Sequence, residues 1–296
     1  MRPSHTHKRP ANLARWIHTI LLLLWILLGL VRLSAHADEL KPETAAAFEQ
    51  YIRATEARMD NDIGFNQFLV VDRLPGSQHQ EAYDQLHKSQ IYIEELHTQE
   101  DHHPFPIPNG LIHHWAGVIF IPNATLSETN AIVEDYDNEP NIYKPEIRRS
   151  KLVEHNGNES KIYLQFVNKS IVTVVLNVYF DVSDAQFGST RRQATSRSTR
   201  IAEVVNPGSS KEYERRDGND HGYMWRFNNY WRIEEKDGGV YVQNESVILS
   251  RSAPEILAWL INPLIKNIPR DILLELLTDT RKAVMQAVTI RSKRAR

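Results

Sequence analysis

The sequence predicts an α+β fold in which an antiparallel sheet of six or more strands is crossed by a long C-terminal helix. Three features lead there. Between Leu111 and Leu249 apolar residues alternate with polar ones at a period of two, as in strands with one covered face. Turn-forming pairs (Asn156-Gly157, Pro207-Gly208, Asp217-Gly218 and Asp237-Gly238) cut that region into strand-sized pieces. After Pro269 the period becomes helical, with Ile272, Leu273, Leu276, Leu277, Ala283, Val284, Ala287 and Val288 in one stripe. Strands followed by a strongly amphipathic helix place that helix across the sheet.

Composition sets the outer bounds. The 296 residues are 41% hydrophobic, with six Trp, eleven Tyr and nine Phe, which excludes a disordered chain. There is no cysteine, so thiolate zinc sites, disulfide scaffolds and cysteine nucleophiles are excluded together. The balance of 35 Lys+Arg against 37 Asp+Glu leaves no general electrostatic case for nucleic acid.

That balance is uneven along the chain. Residues 1–37 contain Arg2, Lys8, Arg9, Arg15 and Arg32 and no acid, leaving 30 basic and 37 acidic residues, a formal charge of −7, for the rest. The twelve uncharged residues from Ile20 to Val31 match the apolar core of a signal peptide and fall short of the roughly 20 needed to cross a bilayer. Ala35-His36-Ala37 supplies the small-x-small cleavage pattern, with Asp38 as the mature N-terminus. The expectation is an exported protein, periplasmic or secreted, with residues 38–296 in one domain. The alternative is an uncleaved leader that anchors the chain, with Trp16 to Leu33 spanning the membrane and Arg32 snorkelling to the interface. A mature chain of about 259 residues can bury enough core to do without disulfides. Sequons at Asn123, Asn158, Asn168 and Asn244 matter only in a eukaryotic secretory pathway.

Pro42 to Met59 reads as a helix, with Phe48, Tyr51, Ile52 and Thr55 on one stripe and Pro42 suited to the first turn. Phe68–Val71 and Ile91–Ile93 read as short strands, separated by a Pro75-Gly76 turn and a polar stretch. Pro104, Pro106, Pro108 and Gly110 form a break. Leu111–Ile121 is then a strand and Ala124–Tyr136 a helix. Strands follow at Ile147–His155, Lys161–Asn168, Ile171–Val182, Arg191–Val205, Tyr223–Glu234 and Val240–Leu249. Asp237-Gly238-Gly239 makes the last two a hairpin. Val172, Val174, Leu176, Val178, Phe180 and Val182 share a covered face, with Asn177 and Asp181 on the other. Tyr223, Trp225, Phe227, Trp231 and Ile233 likewise share a face opposite Arg226, Asn228, Arg232 and Glu234, which predicts one covered face and one wet one. Ala253–Lys266, with Ile256, Leu257, Trp259 and Leu260, reads as a helix interrupted by Pro263. Arg291–Arg296 is expected to fray as a basic tail.

This order of elements resembles the START-like superfamily, which includes StAR-related lipid-transfer domains and the polyketide cyclase/dehydrase group. Its helix-grip fold wraps a curved antiparallel sheet around a long C-terminal helix. Four features carry the resemblance: Trp115-Ala116-Gly117-Val118-Ile119-Phe120 ahead of a helix, Tyr143-Lys144-Pro145-Glu146-Ile147 leading into the sheet, the late hairpin, and Pro254…Trp259-Leu260 before the final helix. Roughly residues 44 to 290 are covered. The resemblance implies an apolar or amphipathic ligand between sheet and terminal helix. Some members are enzymes and many only bind or carry, and no invariant catalytic motif transfers.

A sheet bent around one helix also makes, on physical grounds, the kind of concave apolar site that small molecules occupy. Trp115, Phe166, Leu176, Trp225, Phe227 and Trp231 are the candidate lining, and each is equally a packed core residue if the interior is solid. Gln193–Glu203 is polar on both faces. A central position would turn polar groups into the cavity, with Arg197 or Arg200 meeting an anionic or carbonyl head. An edge position would make the same charges a guard against aggregation. In a regular strand parity admits only one of the two arginines, and Arg197 is the candidate kept.

His97, His102, His103, His113 and His114 cluster with Glu100 and Asp101. Their spacing matches no defined metal site, and His113 and His114 point to opposite faces of a strand, so neither metal nor cofactor is expected. GxGxxG, GxxxxGK[ST], GxSxG and HExxH are absent. Asp217-Gly218-Asn219-Asp220 reads as a turn rather than a calcium loop. The resulting reading is a monomeric exported protein that binds or carries a hydrophobic, lipid-like molecule, making transient membrane contact. One alternative is an enzyme of the cyclase or dehydratase type, with His114, Tyr163, Arg197 and Glu245 as acid–base candidates. The other is an envelope interaction module with a solid interior.

Overall fold

The structure, a computed structural model, describes residues 39–100, 103–169, 173–252 and 267–294. Helix α1, Pro42–Gly64, begins with a proline whose missing N–H the first turn does not need, and with Glu43 against the positive end of the helix dipole. A 3-10 turn, Val70–Arg73, and helix α2, Gly76–His87, come next. Both differ from the sequence expectation. The Phe68–Val71 run is a buried turn, held by Leu69 N–H donating to Asp72 Oδ2 at 2.7 Å. The polar stretch after Pro75 is helical because it buries only Ala82 and Leu86 and needs no wide apolar stripe.

Strand β1, Tyr92–Glu95, is followed by a small ribbon of β2, Gln99–Glu100, and β3, His103–Pro104, and then by the long β4, Gly110–Pro122. Helix α3, Leu126–Val133, is closed at its N-terminus by a capping box between Thr125 and Glu128. It stops earlier than expected and gives way to a 3-10 turn, Tyr136–Asn138, and the short α4, Glu139–Ile142. Next come β5 (Ile147–Asn156), β6 (Glu159–Asn168), β7 (Val174–Phe187) and β8 (Arg191–Val205). The chain ends with β9 (Tyr213–Glu214), β10 (Arg226–Lys236), β11 (Gly239–Arg251) and α5 (Ile268–Arg294). The expected helix over 253–266 and the leader, residues 1–37, lie outside the described residues. Among the described residues no helix is long and apolar enough to cross a membrane.

The strands form one unclosed antiparallel sheet of nine, ordered β1-β4-β11-β10-β8-β7-β6-β5, with β9 on β8. The polar segment Gln193–Glu203 is therefore central. The free edges are the short β1 and β5, and β5 exposes Arg148, Arg149, Lys151 and Glu154. Helix α5 packs Leu273, Leu277 and Val284 against Trp115, Ile119 and Val242. Gly117 permits that close seat, because a Cβ there would lie 2.6 Å from Leu277 Cδ1. In a flat sheet β6 would stand five strand spacings from β4, about 24 Å away. Yet Ile162 and Leu164 of β6 line one cavity with Leu273 and Leu276 of α5, so the sheet curls round the helix. This is a helix-grip arrangement, α+β, with a curled antiparallel sheet wrapped around the C-terminal helix.

The opposite face is covered as well. Helix α1 presses Phe48, Tyr51, Ile52 and Met59 onto Tyr230, Val247 and Leu249, and the 3-10 turn with α2 covers Val118, Phe120 and Tyr241. The face expected to be wet is dry here, with Asn228, Arg232 and Glu234 all buried. Arg232, 1% exposed, donates to the carbonyls of Phe68 and Met59, both at 2.9 Å, and to Gln193 Oε1 at 2.7 Å. Those bonds replace its lost water. Alternation separates apolar from polar, but it cannot show that a polar side chain will be fully satisfied under a helix. The C-terminal tail also stays helical to Arg294, with Arg291 donating to Glu128 Oε2 at 2.7 Å and to the Asn123 carbonyl at 2.6 Å.

Candidate functional site: a cavity between sheet and terminal helix

The curled sheet and α5 enclose a cavity of about 100 Å³. Its sheet wall is built from Ile162, Leu164, Phe166, Phe180, Phe227 and Trp231, and Leu273 and Leu276 close it from the helix. Phe180 and Phe227 meet edge to face with ring centroids 5.5 Å apart. The floor is polar. Asn229 of β10 pairs in register with Ser196 of β8 on one side and Ser246 of β11 on the other, which makes a row across three strands. Asn244 lies one pleat along β11, opposite Trp231. All four line the cavity. Asn244 is fully buried, and neither its Nδ2 nor its Oδ1 has a hydrogen-bond partner; the Asn229 Oδ1 is likewise unpartnered.

Glu139, the first residue of α4, is the carboxyl in the wall. Burial pushes it up to about 8, eased by the Ser150 hydroxyl and reinforced by Asp135, so the group is protonated at neutral pH. Tyr136 borders this cavity and also an open, mostly polar cleft of about 900 Å³ at one end of the sheet. Beside that cleft the Arg192 guanidinium is paired with Glu134 and Asp184.

The sequence candidates divide three ways. Phe166, Phe227 and Trp231 line the cavity. Trp115 and Leu176 share that face of the sheet but are packed into core, Trp115 beneath α5 and Leu176 beside Tyr143 and Ile147. Trp225 and Arg197 lie on the opposite side of the sheet. Parity placed Trp225 with Phe227, but the strand begins only at Arg226. Ahead of it Gly222, at φ +70°, turns the chain so that Trp225 packs beneath α1, its indole donating to Asp220 Oδ1 at 3.3 Å.

Arg197 faces α1 and donates to Glu56 Oε1 from Nε at 3.0 Å and Nη2 at 2.6 Å. Arg200 shares that outer side, although parity opposes them, because a bulge in β8 at Thr199 adds a residue between them. Arg200 reaches Glu214 at 2.6 Å over the Tyr179 ring. The residue by which this polar strand enters the cavity is Ser196.

None of the acid–base candidates lines the cavity. Beneath α1, Tyr51 Oη accepts from Thr98 N–H at 3.1 Å and donates to His114 Nδ1 at 2.7 Å, while His114 Nε2–H donates to Glu245 Oε1 at 2.7 Å. Arg58 pairs with the same carboxylate. Burial lowers the basicity of His114 despite its carboxylate partner. At Glu245 burial alone would raise the carboxyl, but the His114 hydrogen bond and the charges of Arg58 and Arg232 outweigh it and hold the group at about 2. The result is a closed ionic network across the sheet from the cavity. Tyr163, also on the outer side, donates to Asn177 Oδ1 at 2.9 Å. The side chains of Glu100, Asp101, His102 and His103 lie outside those described, and among the described residues no three His, Asp or Glu come together to hold a metal.

Sequence reasoning missed Ser196, Asn229, Asn244, Ser246 and Glu139. Four of them carried a signal, since Ser196 belongs to the segment that is polar on both faces, Asn229 interrupts the apolar parity of Phe227, Trp231 and Ile233, and Asn244 and Ser246 interrupt that of Val240, Val242 and Ile248. Glu139 carried none.

No family model matches the chain, and no curated protein matches it. Solved structures similar to it include a STAR-related lipid transfer protein from Xanthomonas axonopodis, at 16% identity over 61% of this chain and 96% of that one, TM-score 0.39. Human STARD10 is similar at 9% identity over 75% and 84%, TM-score 0.41. The Zhui aromatase/cyclase from Streptomyces sp. R1128 is similar at 12% identity over 62% and 96%, TM-score 0.42. The likeness is one of fold.

Proposed function

We propose that the protein binds a small hydrophobic molecule between the sheet and α5 and carries it outside the cytoplasm. The observation that carries this reading is the cavity itself, apolar in its walls and about 100 Å³ in volume. Protein interiors hold few voids larger than a water molecule. At about 24 cal/mol per Å³, a cavity of that volume costs the fold roughly 2.4 kcal/mol, a cost consistent with a site kept open for a guest. Apolar area buried on the guest, at roughly 25 cal/mol per Å², supplies most of the affinity. A cavity of roughly 150 Å³ takes a benzene ring, so at about 100 Å³ the space as it stands matches a short branched chain, and a single ring seats with a small outward give of its walls. A longer lipid must displace α5 or run out past Tyr136 into the cleft.

The test is native mass spectrometry of the full chain, purified without detergent, before and after solvent extraction and with the plugged variant Ala194→Leu. An apolar adduct lost on extraction and missing from the variant supports the reading. A protein that carries no adduct and takes up none of a panel of single-ring and short-chain apolar compounds removes it. Export rests on the leader, and a secreted form beginning at Asp38 is its readout.

A second reading, an enzyme, is favoured by one observation, the protonated Glu139 in the wall, which can serve as a general acid. It requires Glu139→Gln to abolish turnover of a bound guest while leaving binding unchanged.

A further inference from the structure

We propose that the guest bears an uncharged hydrogen-bonding head (a hydroxyl, carbonyl or carboxamide) and that Asn244 is the residue that receives it. This rests on the cavity being a binding site. The Asn244 amide offers two donors and an acceptor, and it spends none of them on the protein, although the side chain is fully buried. A buried amide left unpaired is costly, and its partner has to come from the space it faces. A single hydroxyl satisfies both ends, accepting from Nδ2 and donating to Oδ1. The unpartnered Asn229 Oδ1 lies on the same floor with Ser196 and Ser246, so a second polar group on the head also finds a partner.

The surroundings set the charge. Among the described residues no Lys, Arg or His lines the cavity. Arg197 and Arg232 lie across the sheet, committed to Glu56 and to backbone carbonyls respectively, and Arg192 is held at the cleft by Glu134 and Asp184. A carboxylate or phosphate on this floor would be desolvated with no counter-ion, and an ammonium would face a protonated Glu139. A neutral head avoids both penalties. The floor therefore discriminates against ionised lipid heads and against bare hydrocarbons, by two separate mechanisms.

The test uses fluorine NMR titrations of the full chain at pH 7 with three size-matched probes: 4-fluorophenol, fluorobenzene and 4-fluorobenzoate. The expected result is 4-fluorophenol binding about tenfold more tightly than fluorobenzene, the worth of about one well-made hydrogen bond, with 4-fluorobenzoate not bound. In Asn244→Leu the two neutral probes become equal because only the phenol weakens. The melting temperature of that variant holds or rises, since an unpaired amide has been replaced by an isosteric apolar group. Equal binding of the two neutral probes to the wild type overturns the assignment to Asn244 while leaving the cavity reading intact. Failure of all three probes overturns both, and preferred binding of 4-fluorobenzoate overturns the neutral head. A melting temperature that falls in Asn244→Leu shows that the amide is partnered within the fold, which also overturns the proposal.

Discussion

Replacing Glu139 by Gln asks how dry the cavity wall is. The residue is 8% exposed, and its oxygen receives only a long hydrogen bond from the Ser150 hydroxyl, at 3.4 Å. Burial raises its pKa to about 8 from an ordinary 4.5. Between those values the native protein holds a proton that the unfolded chain has released, so the contribution of Glu139 to stability falls as pH rises through the window. At about 1.36 kcal/mol per pH unit, the loss is roughly 3 kcal/mol by pH 7 and approaches 5 kcal/mol above pH 8.

Other groups titrate nearby. His113, lowered to about 4 by burial, makes stability fall in the other direction, as pH drops below about 6.5. Asp184, raised by burial to about 6, acts with the same sign as Glu139 but at lower pH. Subtracting the variant from the wild type removes both contributions. The assay is urea unfolding of each protein at pH 5, 6, 7 and 8. The two should differ by less than about 1 kcal/mol at pH 5, and Glu139→Gln should be the more stable at pH 8 by roughly 4 kcal/mol. A difference that stays flat with pH would mean the carboxylate is ionised in the native wall, and the argument for a neutral cavity would fail.

Three further outcomes follow from the packing. Gly117→Ala drives a methyl into Leu277 and should cost about 1–3 kcal/mol, with faster amide exchange in α5 than in α1; unchanged exchange would deny that α5 sits on Gly117. Arg58→Met leaves the fully buried Glu245 without its guanidinium and should cost about 3 kcal/mol at pH 7, whereas a loss below about 0.5 kcal/mol would show the pair to be no stronger than a surface one. Tyr51→Phe removes the hydroxyl that joins Thr98 to His114 and should cost about 1–3 kcal/mol in urea unfolding. An unchanged midpoint would place water in that network.

The long strands were legible because turn residues bound them and most carry an apolar alternation that marks the face beneath α5. β8, for instance, begins and ends where its turn residues put it. The terminal helix was legible for a related reason, its apolar stripe being continuous and opened by Pro269. Other features depended on partners distant in sequence. Nothing in Arg232 or Glu245 announces burial, because what makes burial tolerable is supplied by Met59, Phe68, Arg58 and His114 from elsewhere in the chain. Arg197 and Arg200 were placed by parity, and one bulged residue defeated it. In the site, the aromatic wall was readable from alternation, while its polar floor appeared in the sequence only as interruptions of an apolar face.

The central claim is that space for an apolar guest exists between sheet and helix, and xenon tests it most directly. A crystal of the protein pressurised with xenon should show a single strong site bounded by Phe227, Trp231 and Leu276, since dry apolar cavities of this scale take up the gas. In Ala194→Leu the same site should vanish. Xenon bound only at the surface, with those three side chains closed on one another, would contradict the account.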